Sequence, residues 1–291
     1  GYGSLTGCNG QTIRVVRKPY LSFYGGDVCS KTGPVTTFNY DGSPDYRGSG
    51  SQLATFAAGA ISGYTTAKMR SSAPIPNKGL AFANGSNFGN FTTPQCINVD
   101  SADYNTPSGT TTWPGLASAA SGTYYNNGAL TMTPPQPVAV TNGKRITLYV
   151  NGDLIIKGDI KYSNSYTNLS DIPSFTVIVN GNIYIDNNVT ELNGTFIARG
   201  ASGKIYTCSN GGTTWGNIGP NCTSQLKIYG ALYANEILWL RTANSLKDGS
   251  ATENYGSSKA AETIIDGPFR YYPHPSSTTQ LDAITSLSPI L

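Results

Sequence analysis

The chain has 291 residues and a net charge of +3, and only 12% of its residues are charged, against about 25% in an average soluble domain. Charge this sparse excludes a nucleic-acid-binding surface, which needs clustered Lys and Arg against phosphate. The sequence contains no apolar run long enough to cross a membrane as a helix. Its 38% hydrophobic content argues against a disordered chain. A surface kept polar by hydroxyl and amide groups favours a secreted or cell-surface β protein.

Residues 1–136 are predicted to form an irregular N-terminal region, because Gly and Pro break them repeatedly. One main helix is expected near 51–68, where Leu53 and Phe56 begin a series of apolar residues at helical spacing. Residues 101–136 are rich in Ser, Thr, Gly and Pro and are interpreted as a loop or linker. The expected helix would pack against a sheet or, alternatively, bind a partner.

Residues 137–242 carry a recurring pattern of apolar, x, Gly, x, apolar, x, apolar. Its copies begin at Val150, Ile156, Val179, Leu192 and Ile228. Alternation sends one set of side chains inward, and the glycine marks a bend that other residues make at a cost. Short strands joined by repeated corners predict an all-β chain whose body is a β-solenoid, similar to a parallel β-helix. An antiparallel β-sandwich with Asn-Gly turns is the alternative.

Residues 243–291 are predicted to be a C-terminal cap or tail, since the repeat fades there. The tail ends in an apolar run, and Leu287, Ile290 and Leu291 are candidate interface residues. An extended apolar segment can add a strand to the exposed sheet edge of a neighbouring molecule. We therefore expect this run to dock on another copy.

The chain contains five cysteines: Cys8, Cys29, Cys96, Cys208 and Cys222. Their spacing and the single histidine argue against a structural zinc site. We expect a disulfide between Cys208 and Cys222, which would contribute about 3 kcal/mol by closing a loop of that length. Cys8 and Cys29 are candidates for a second bridge. The chain starts at Gly1, so a removed leader or a fragment is expected; with the low charge, this favours an extracellular compartment over a reducing one.

The sequence predicts no catalytic residue and no cofactor. The single histidine, His274, lies between two prolines without a surrounding motif. The carboxylates considered as a pair for polysaccharide cleavage are Asp153, Asp159, Asp186, Glu191 and Glu236. Asp153 and Asp159 follow the glycine of neighbouring repeats, which favours a corner residue reused by geometry.

Calcium is the one metal considered, because side-chain oxygens recur at the predicted corners. Asp153, Asp159 and Asn182 are its candidate ligands, since Ca²⁺ prefers oxygen. Hydrogen bonds from these side chains to turn amides would account for the same residues. The sequence lacks the D-x-D-x-D-G loop of a dedicated calcium site.

Several segments carry a family resemblance. They are Tyr20–Val28, Gly48–Ala54, Gly79–Asn84, Cys96, Val179–Ile185, Gly230–Asn235 and Leu240–Thr242. Together they resemble a family of largely uncharacterised extracellular β-solenoid surface proteins from small-genome bacteria, some of them pilus-associated. Residues 144–242 are also similar to bactofilin-type polymerising solenoids. The resemblance implies display or assembly at the cell surface and carries over no active-site residue.

The sequence therefore predicts a non-enzymatic, extracellular structural or adhesive protein. It would be a subunit of a filament, a pilus-like appendage or a surface layer, and its partners would be copies of itself or other surface proteins. Low charge reduces repulsion between copies and supports close packing. The alternative is a carbohydrate-binding or carbohydrate-cleaving β-helix protein, because 19 tyrosines could form a face that binds glycans.

Overall fold

The structure, a computed structural model, describes residues 98–241 except for short gaps. The gaps are 135–138, 164–166, 201, 214–221 and 223. It also describes the backbone of strands that lie between residues 2 and 83 and at 262–265. Within these residues the only helices are two short 3-10 helices, Ala102–Tyr104 and Leu169–Asp171. The prediction of an all-β chain is confirmed for the described part.

Nine strands precede residue 98: β1 (Tyr2–Thr6), β2 (Thr12–Val16), β3 (Leu21–Tyr24), β4 (Val28–Ser30), β5 (Val35–Thr36), β6 (Gly50–Ser51), β7 (Ala54–Ala57), β8 (Ile61–Ser62) and β9 (Leu80–Ala83). Seven strands follow between residues 111 and 162: β10 (Thr111–Thr112), β11 (Gly122–Asn127), β12 (Leu130–Met132), β13 (Ala139–Val140), β14 (Arg145–Asn151), β15 (Leu154–Ile156) and β16 (Lys161–Tyr162). The last seven are β17 (Ser174–Asn180), β18 (Ile183–Asp186), β19 (Glu191–Arg199), β20 (Lys204–Ser209), β21 (Leu226–Ala234), β22 (Glu236–Leu238) and β23 (Glu262–Ile265).

Two sheets dominate the described chain. The main sheet has the order β10-β11-β14-β17-β19-β21-β23-β3-β6, and the second sheet has the order β12-β15-β18-β20-β22. From β17 to β22 the chain alternates between the two sheets, one strand at a time. All neighbours within both sheets are parallel. This pairing contradicts the alternative prediction of an antiparallel sandwich for the described strands.

The smaller sheets follow the same parallel rule with one exception. β13 pairs with β16, β5 pairs with β8, and β7 lies between β4 and β9. The exception is the antiparallel pair of β1 and β2. The main sheet contains strands from all three regions into which the sequence was divided, since β11, β14 and β23 belong to different regions.

The helix predicted near residues 51–68 is wrong where the structure describes that segment. Ala54–Ala57 and Ile61–Ser62 are strands, and β7 pairs on both of its sides. Helical spacing of apolar residues is a local property, whereas these strands pair with segments more than twenty residues away. Such distant pairing overrides local preference, since what a strand sequence mainly reports is its fit to its neighbours.

The loop predicted over residues 101–136 is also wrong in part. Gly122–Asn127 and Leu130–Met132 are strands that pair in register with β14 and β15. The first of these strands carries Thr123, Tyr124 and Tyr125, residue types that favour strands. The abundance of Ser, Gly and Pro around them concealed this preference.

The hydrophobic core lies between the main sheet and the second sheet. Inward rows run across neighbouring strands: Leu148, Val177 and Phe196 in the main sheet, and Leu154, Ile183 and Ile205 in the second sheet. These side chains belong to one buried cluster. Burying each contributes up to about 1.5–3 kcal/mol, so register between successive strands is fixed by the core.

Candidate functional site

The outer face of the main sheet carries a row of large side chains, one from each of five neighbouring strands. The row consists of Tyr125, Tyr149, Ile178, Ile197 and Tyr233. Tyr149, Ile178 and Ile197 are almost completely buried although they point away from the main core. Val99 and Tyr104 cover them. The outer face is therefore not bare; part of it is covered by the chain before β10.

The covering segment, residues 98–105, is held by specific polar contacts. A carboxylate oxygen of Asp100 accepts a hydrogen bond from the backbone N–H of Gly200 at 3.0 Å. The guanidinium of Arg199 donates to the side-chain oxygen of Asn105 at 2.9 Å. Both contacts anchor the segment where β19 ends. The composition of residues 101–136 gave no indication of this role, because the contact depends on strands about 100 residues away.

A row of asparagines lies beside the covering segment, at the end of the strands. The amide of Asn180 donates to the side-chain oxygen of Asn151 at 3.2 Å, and Asn151 donates in turn to Asn127 at 3.4 Å. The hydroxyl of Tyr125 donates to the same oxygen of Asn127. Strands in a sheet are about 4.7–4.9 Å apart, so the row presents amide groups at a regular spacing.

A small polar cleft of about 140 Å³ lies between the covering segment and the asparagine row. The residues that give it chemical character are Tyr104, Asn105, Thr106, Asn151, Asn180 and Arg199. They supply amide donors and acceptors, a hydroxyl, a guanidinium and an aromatic ring. This volume is below the roughly 300–1,000 Å³ of drug-sized pockets, and none of the described residues that line the cleft carries a carboxylate. Such a cleft suits binding of one small polar group better than acid–base chemistry.

The glycine-containing corners are of two kinds. Gly152 and Gly181 lie between a strand of the main sheet and a strand of the second sheet, as predicted. Gly194 and Gly230 instead lie opposite each other inside β19 and β21. At Gly194, β19 changes neighbours, because Leu192 pairs with Ile160 whereas residues from Thr195 onward pair with β17. These glycines bend a continuous strand and have φ values of +134° and +147°.

The calcium candidates Asp153 and Asn182 connect successive corners to one another. A carboxylate oxygen of Asp153 accepts the backbone N–H of Asn182 at 2.8 Å. The side-chain oxygen of Asn182 accepts the backbone N–H of Lys204 at 3.0 Å. Each side chain therefore satisfies a backbone donor of the next corner, which is the amide-capping role weighed against calcium.

Asp159, the third calcium candidate, caps a different connection. Its carboxylate accepts the backbone N–H groups of Thr190 and Glu191 at 2.7 and 3.0 Å, and the hydroxyl of Thr190 at 2.9 Å. Burial alone would raise the pKa of Asp159, but the hydrogen bonds from Thr190 and Glu191 and that from Lys161 together lower it. Asp159 is therefore a carboxylate at neutral pH, with its oxygens occupied by donors.

Lys161 completes this cluster. Its ammonium lies 3.2 Å from Asp159 and 3.6 Å from Glu191, and the other carboxylate oxygen of Glu191 accepts from the amide of Asn193. The hydrogen bond to Asp159 raises the pKa of Lys161, so its amine is protonated and not nucleophilic. Within the described residues no group of three or more His, Cys, Asp or Glu could hold a metal ion.

The remaining carboxylates also have partners of their own. Asp186 is buried and accepts the backbone N–H of Asn188 at 3.3 Å. Glu236, which is exposed, forms an ion pair with Lys204. Neither Asp186 nor Glu236 lines the cleft. The described carboxylates thus act mainly in holding turns and strands.

The most deeply buried charge was not identified from the sequence. Arg241 is fully buried, and its guanidinium donates to the backbone carbonyls of Thr207, Asp186 and Asn187 at 2.7, 2.7 and 2.8 Å. It joins the end of β18 to the neighbouring strand β20. The sequence offered one indication. A charged residue directly follows the apolar run Ile237–Leu240, at a position where an apolar strand residue would be expected.

The predicted disulfide between Cys208 and Cys222 is present, with Cα atoms 5.9 Å apart. Both cysteines are buried. On the outer face of the second sheet, Tyr184 and Tyr206 stack in parallel with ring centroids 4.8 Å apart. These two tyrosines, which were among those considered for a glycan-binding face, therefore stack on each other.

Some predicted residues lie outside the described part of the chain. They are Cys8, His274, Leu287, Ile290 and Leu291. Cys29 lies in β4, of which only the backbone is described. The predicted second disulfide and the predicted docking of the C-terminal run stay predictions.

No protein-family model, curated protein or solved structure matches the chain. Among the described residues, no helix has the length and apolar character needed to cross a membrane.

Proposed function

We propose that the chain is a β-solenoid subunit of an extracellular surface assembly, such as a filament, a pilus-like appendage or a surface layer. The observation that carries the proposal is the repeated passage of the chain between the same two parallel sheets, with each strand in register with the strand before it. A solenoid grows by stacking such units, and each unit contacts only its neighbours.

The edges of the sheets support association with other copies. Among the described strands, the second sheet begins at β12 and ends at β22. Edge strands carry backbone donors and acceptors that can pair with a strand of another chain. Because β12 is the edge of a parallel sheet, a strand of a neighbouring copy can continue the sheet there, and such a contact can repeat from copy to copy.

The polar surface and the disulfide support the extracellular and non-enzymatic parts of the proposal. A structural disulfide is typical of proteins in oxidising compartments. The described carboxylates serve as turn and strand contacts, as at Asp153 and Asp159. The resemblance to surface-displayed β-solenoid proteins leads to the same expectation of display or assembly.

Sedimentation velocity and negative-stain electron microscopy over a range of concentrations test assembly. We expect oligomers that lengthen with concentration, and a chain that stays monomeric throughout would refute the proposal. Thr131→Lys places a charge on an exposed position of β12 and should weaken association, because charge on an edge strand opposes pairing. The matched control is Thr141→Lys, at an exposed position outside the strands.

Carbohydrate binding is the second candidate function, and the polar cleft is the observation that favours it. Amides of Asn151 and Asn180 and the guanidinium of Arg199 can hydrogen-bond sugar hydroxyls, while Tyr104 offers an aromatic ring. A glycan array would detect binding, and Arg199→Gln should reduce it. An array without hits would refute carbohydrate binding. If Asp153→Asn also left the behaviour of the protein toward polysaccharides unchanged, carbohydrate cleavage would be refuted as well.

A further inference from the structure

We propose that copies of this chain join head to tail by exchanging their N-terminal strands: β3 of one copy pairs with β23 of the next. This inference rests on the proposed self-assembly and names the surface and the partner. The partner is a second copy of the same chain. The contributed elements are the strands β3 to β9, of which β3 makes the contact.

The order of strands in the main sheet is the first observation. From β10 to β23 the strands follow one another in chain order, and β3 and β6 then come after β23. The junction is a regular parallel pair, with Glu262 opposite Leu21 and Ile265 opposite Tyr24. N-terminal strands therefore continue the C-terminal end of the sheet.

This junction is the exception to an otherwise sequential stack. Every other neighbouring pair in the main sheet joins a strand to the next strand of that sheet in the chain, as consecutive elements in proteins usually are. If β3 pairs with β23 of another copy, the contacts of the junction are retained. In that case β3 to β9 no longer pair with the β23 end of their own chain. They can instead lie beside β10, at the opposite end of the main sheet.

The exchanged arrangement repeats without closing. One end of each copy, at β23, receives the N-terminal strands of its neighbour, and its own N-terminal strands extend to the next copy in line. A head-to-tail contact of this kind uses two different surfaces, so it generates an open fibre unless the rotation closes a ring. The closed form within one chain and the exchanged form between chains contain the same strand pairing.

The connection between the N-terminal strands and the rest of the chain permits both forms. Residues 98–105 are fastened to the outer face of the main sheet near the end of β19, through Asp100 and Asn105. Fourteen residues, 84–97, separate β9 from that anchor, and a chain of that length can span at most roughly 46–50 Å. Strands are about 4.8 Å apart, so this length spans several strands and allows both the closed and the exchanged form. Protein concentration then decides which form is populated.

Cysteine pairing between two separately made chains tests the exchange. Thr263 lies opposite Ser22 in the junction, and neighbouring strand positions are close enough for a disulfide. Ser22→Cys chains are mixed with Thr263→Cys chains under mild oxidation, with Cys8, Cys29 and Cys96 replaced by serine in both. We expect a covalent heterodimer, and a chain carrying both changes should give a ladder of covalent oligomers that grows with concentration.

The control pair is Thr176→Cys with Thr195→Cys, which lie opposite each other in β17 and β19 and should link within one chain at every concentration. If the first pair prevents folding, as circular dichroism would reveal, Tyr24→Cys and Ile265→Cys replace it. No heterodimer at concentrations where the unmodified chain assembles would overturn strand exchange but leave self-assembly intact. An unmodified chain that is monomeric at every concentration would overturn both.

Discussion

The connection between β18 and β19 is held at its two ends by charged side chains of opposite sign. Asp159 accepts hydrogen bonds from backbone N–H groups of the connection before β19. Arg241 donates to the backbone carbonyls of Asp186 and Asn187, where the same connection begins, and to that of Thr207 inside β20. Each replaces the hydrogen bonds that the turn cannot make by itself, because turns leave backbone groups without strand partners.

The two sites differ in burial, and burial changes what the charge contributes. The side chain of Asp159 is 13% exposed and lies beside Lys161, so water and a counter-charge moderate its energy. Arg241 is fully buried. Removing a buried charged donor leaves its acceptors without water, which costs more than the hydrogen bonds themselves contribute. Although both side chains hold backbone groups by hydrogen bonds, replacing Arg241 should therefore destabilise the protein more than replacing Asp159.

The largest expected effect follows from Arg241→Ala. We expect the free energy of unfolding to fall by about 3–5 kcal/mol, since two buried carbonyl oxygens and one part-buried carbonyl oxygen lose their donor. Arg241→Lys should recover only part of this, because an ammonium lacks the planar fork of donors. Urea unfolding measures both. The control is Arg199→Ala, at a half-exposed position, for which we expect less than about 1 kcal/mol; equal losses would contradict the role of burial.

A second test concerns how closely β21 approaches β19, the strand that this connection enters. In Gly230→Ala, the new methyl group would overlap the carbonyl oxygen of Gly194, at a φ of +147°. We expect a loss of about 2–4 kcal/mol from combined overlap and backbone strain. Gly109→Ala is the control, because its φ is also positive but nothing lies within 4 Å of the added atom. Thermal unfolding of both variants should separate overlap from strain.

The sign of the charge at Asp159 predicts how stability depends on pH. Its folded pKa lies below the ordinary value of 3.8, so its contribution is complete above that value. The contribution is lost as the pH falls through the folded pKa. Asp159→Asn should flatten the decline of the melting temperature in acid and cost about 1 kcal/mol at neutral pH, and Asp159→Ala should cost about 2–3 kcal/mol. An unchanged acid profile in Asp159→Asn would assign the decline to other carboxylates.

The asymmetry between these sites also explains what could be predicted from the sequence. The positions of Asp153 and Asp159 after a repeated glycine are local, and they indicated corner residues that cap turn amides. The pairing of Cys208 with Cys222 was predicted from their spacing around one loop. Arg241 was not identified, because its role depends on carbonyls contributed by β20 and by the end of β18, which lie 34 to 55 residues earlier in the chain.

The same reasoning applies to the errors in secondary structure. Residues 54–57 form a strand because segments around residues 28 and 80 pair with it, and helical spacing contains no information about those partners. The glycine pattern predicted corners between short strands, but Gly194 and Gly230 lie inside the continuous strands β19 and β21. It did not reveal that the two backbones nearly touch there, which is a property of the stacked strands and not of either segment.

The smallest expected effect concerns Tyr184, where a carboxylate acts at a distance. Burial raises the pKa of Tyr184 above its ordinary value of 10.0, and the charges of Asp153 and Tyr206 raise it further. Its neutral phenol is therefore favoured in the folded state, and this stabilisation is lost as the pH rises through the folded pKa. Tyr184→Phe should cost only about 0.5–1.5 kcal/mol, through the hydrogen bond that Asn182 donates to the hydroxyl.

Ultraviolet titration of the folded protein measures this effect directly. The late-titrating phenol should be absent in Tyr184→Phe, and Asp153→Asn should shift it toward lower pH. Because burial is the larger cause, the shift in Asp153→Asn should be smaller than the displacement of Tyr184 from an ordinary tyrosine. If Asp153→Asn removed the whole displacement, the charge and not burial would govern this face of the second sheet. That result would contradict the comparison of Asp159 with Arg241, in which burial has the larger effect on stability.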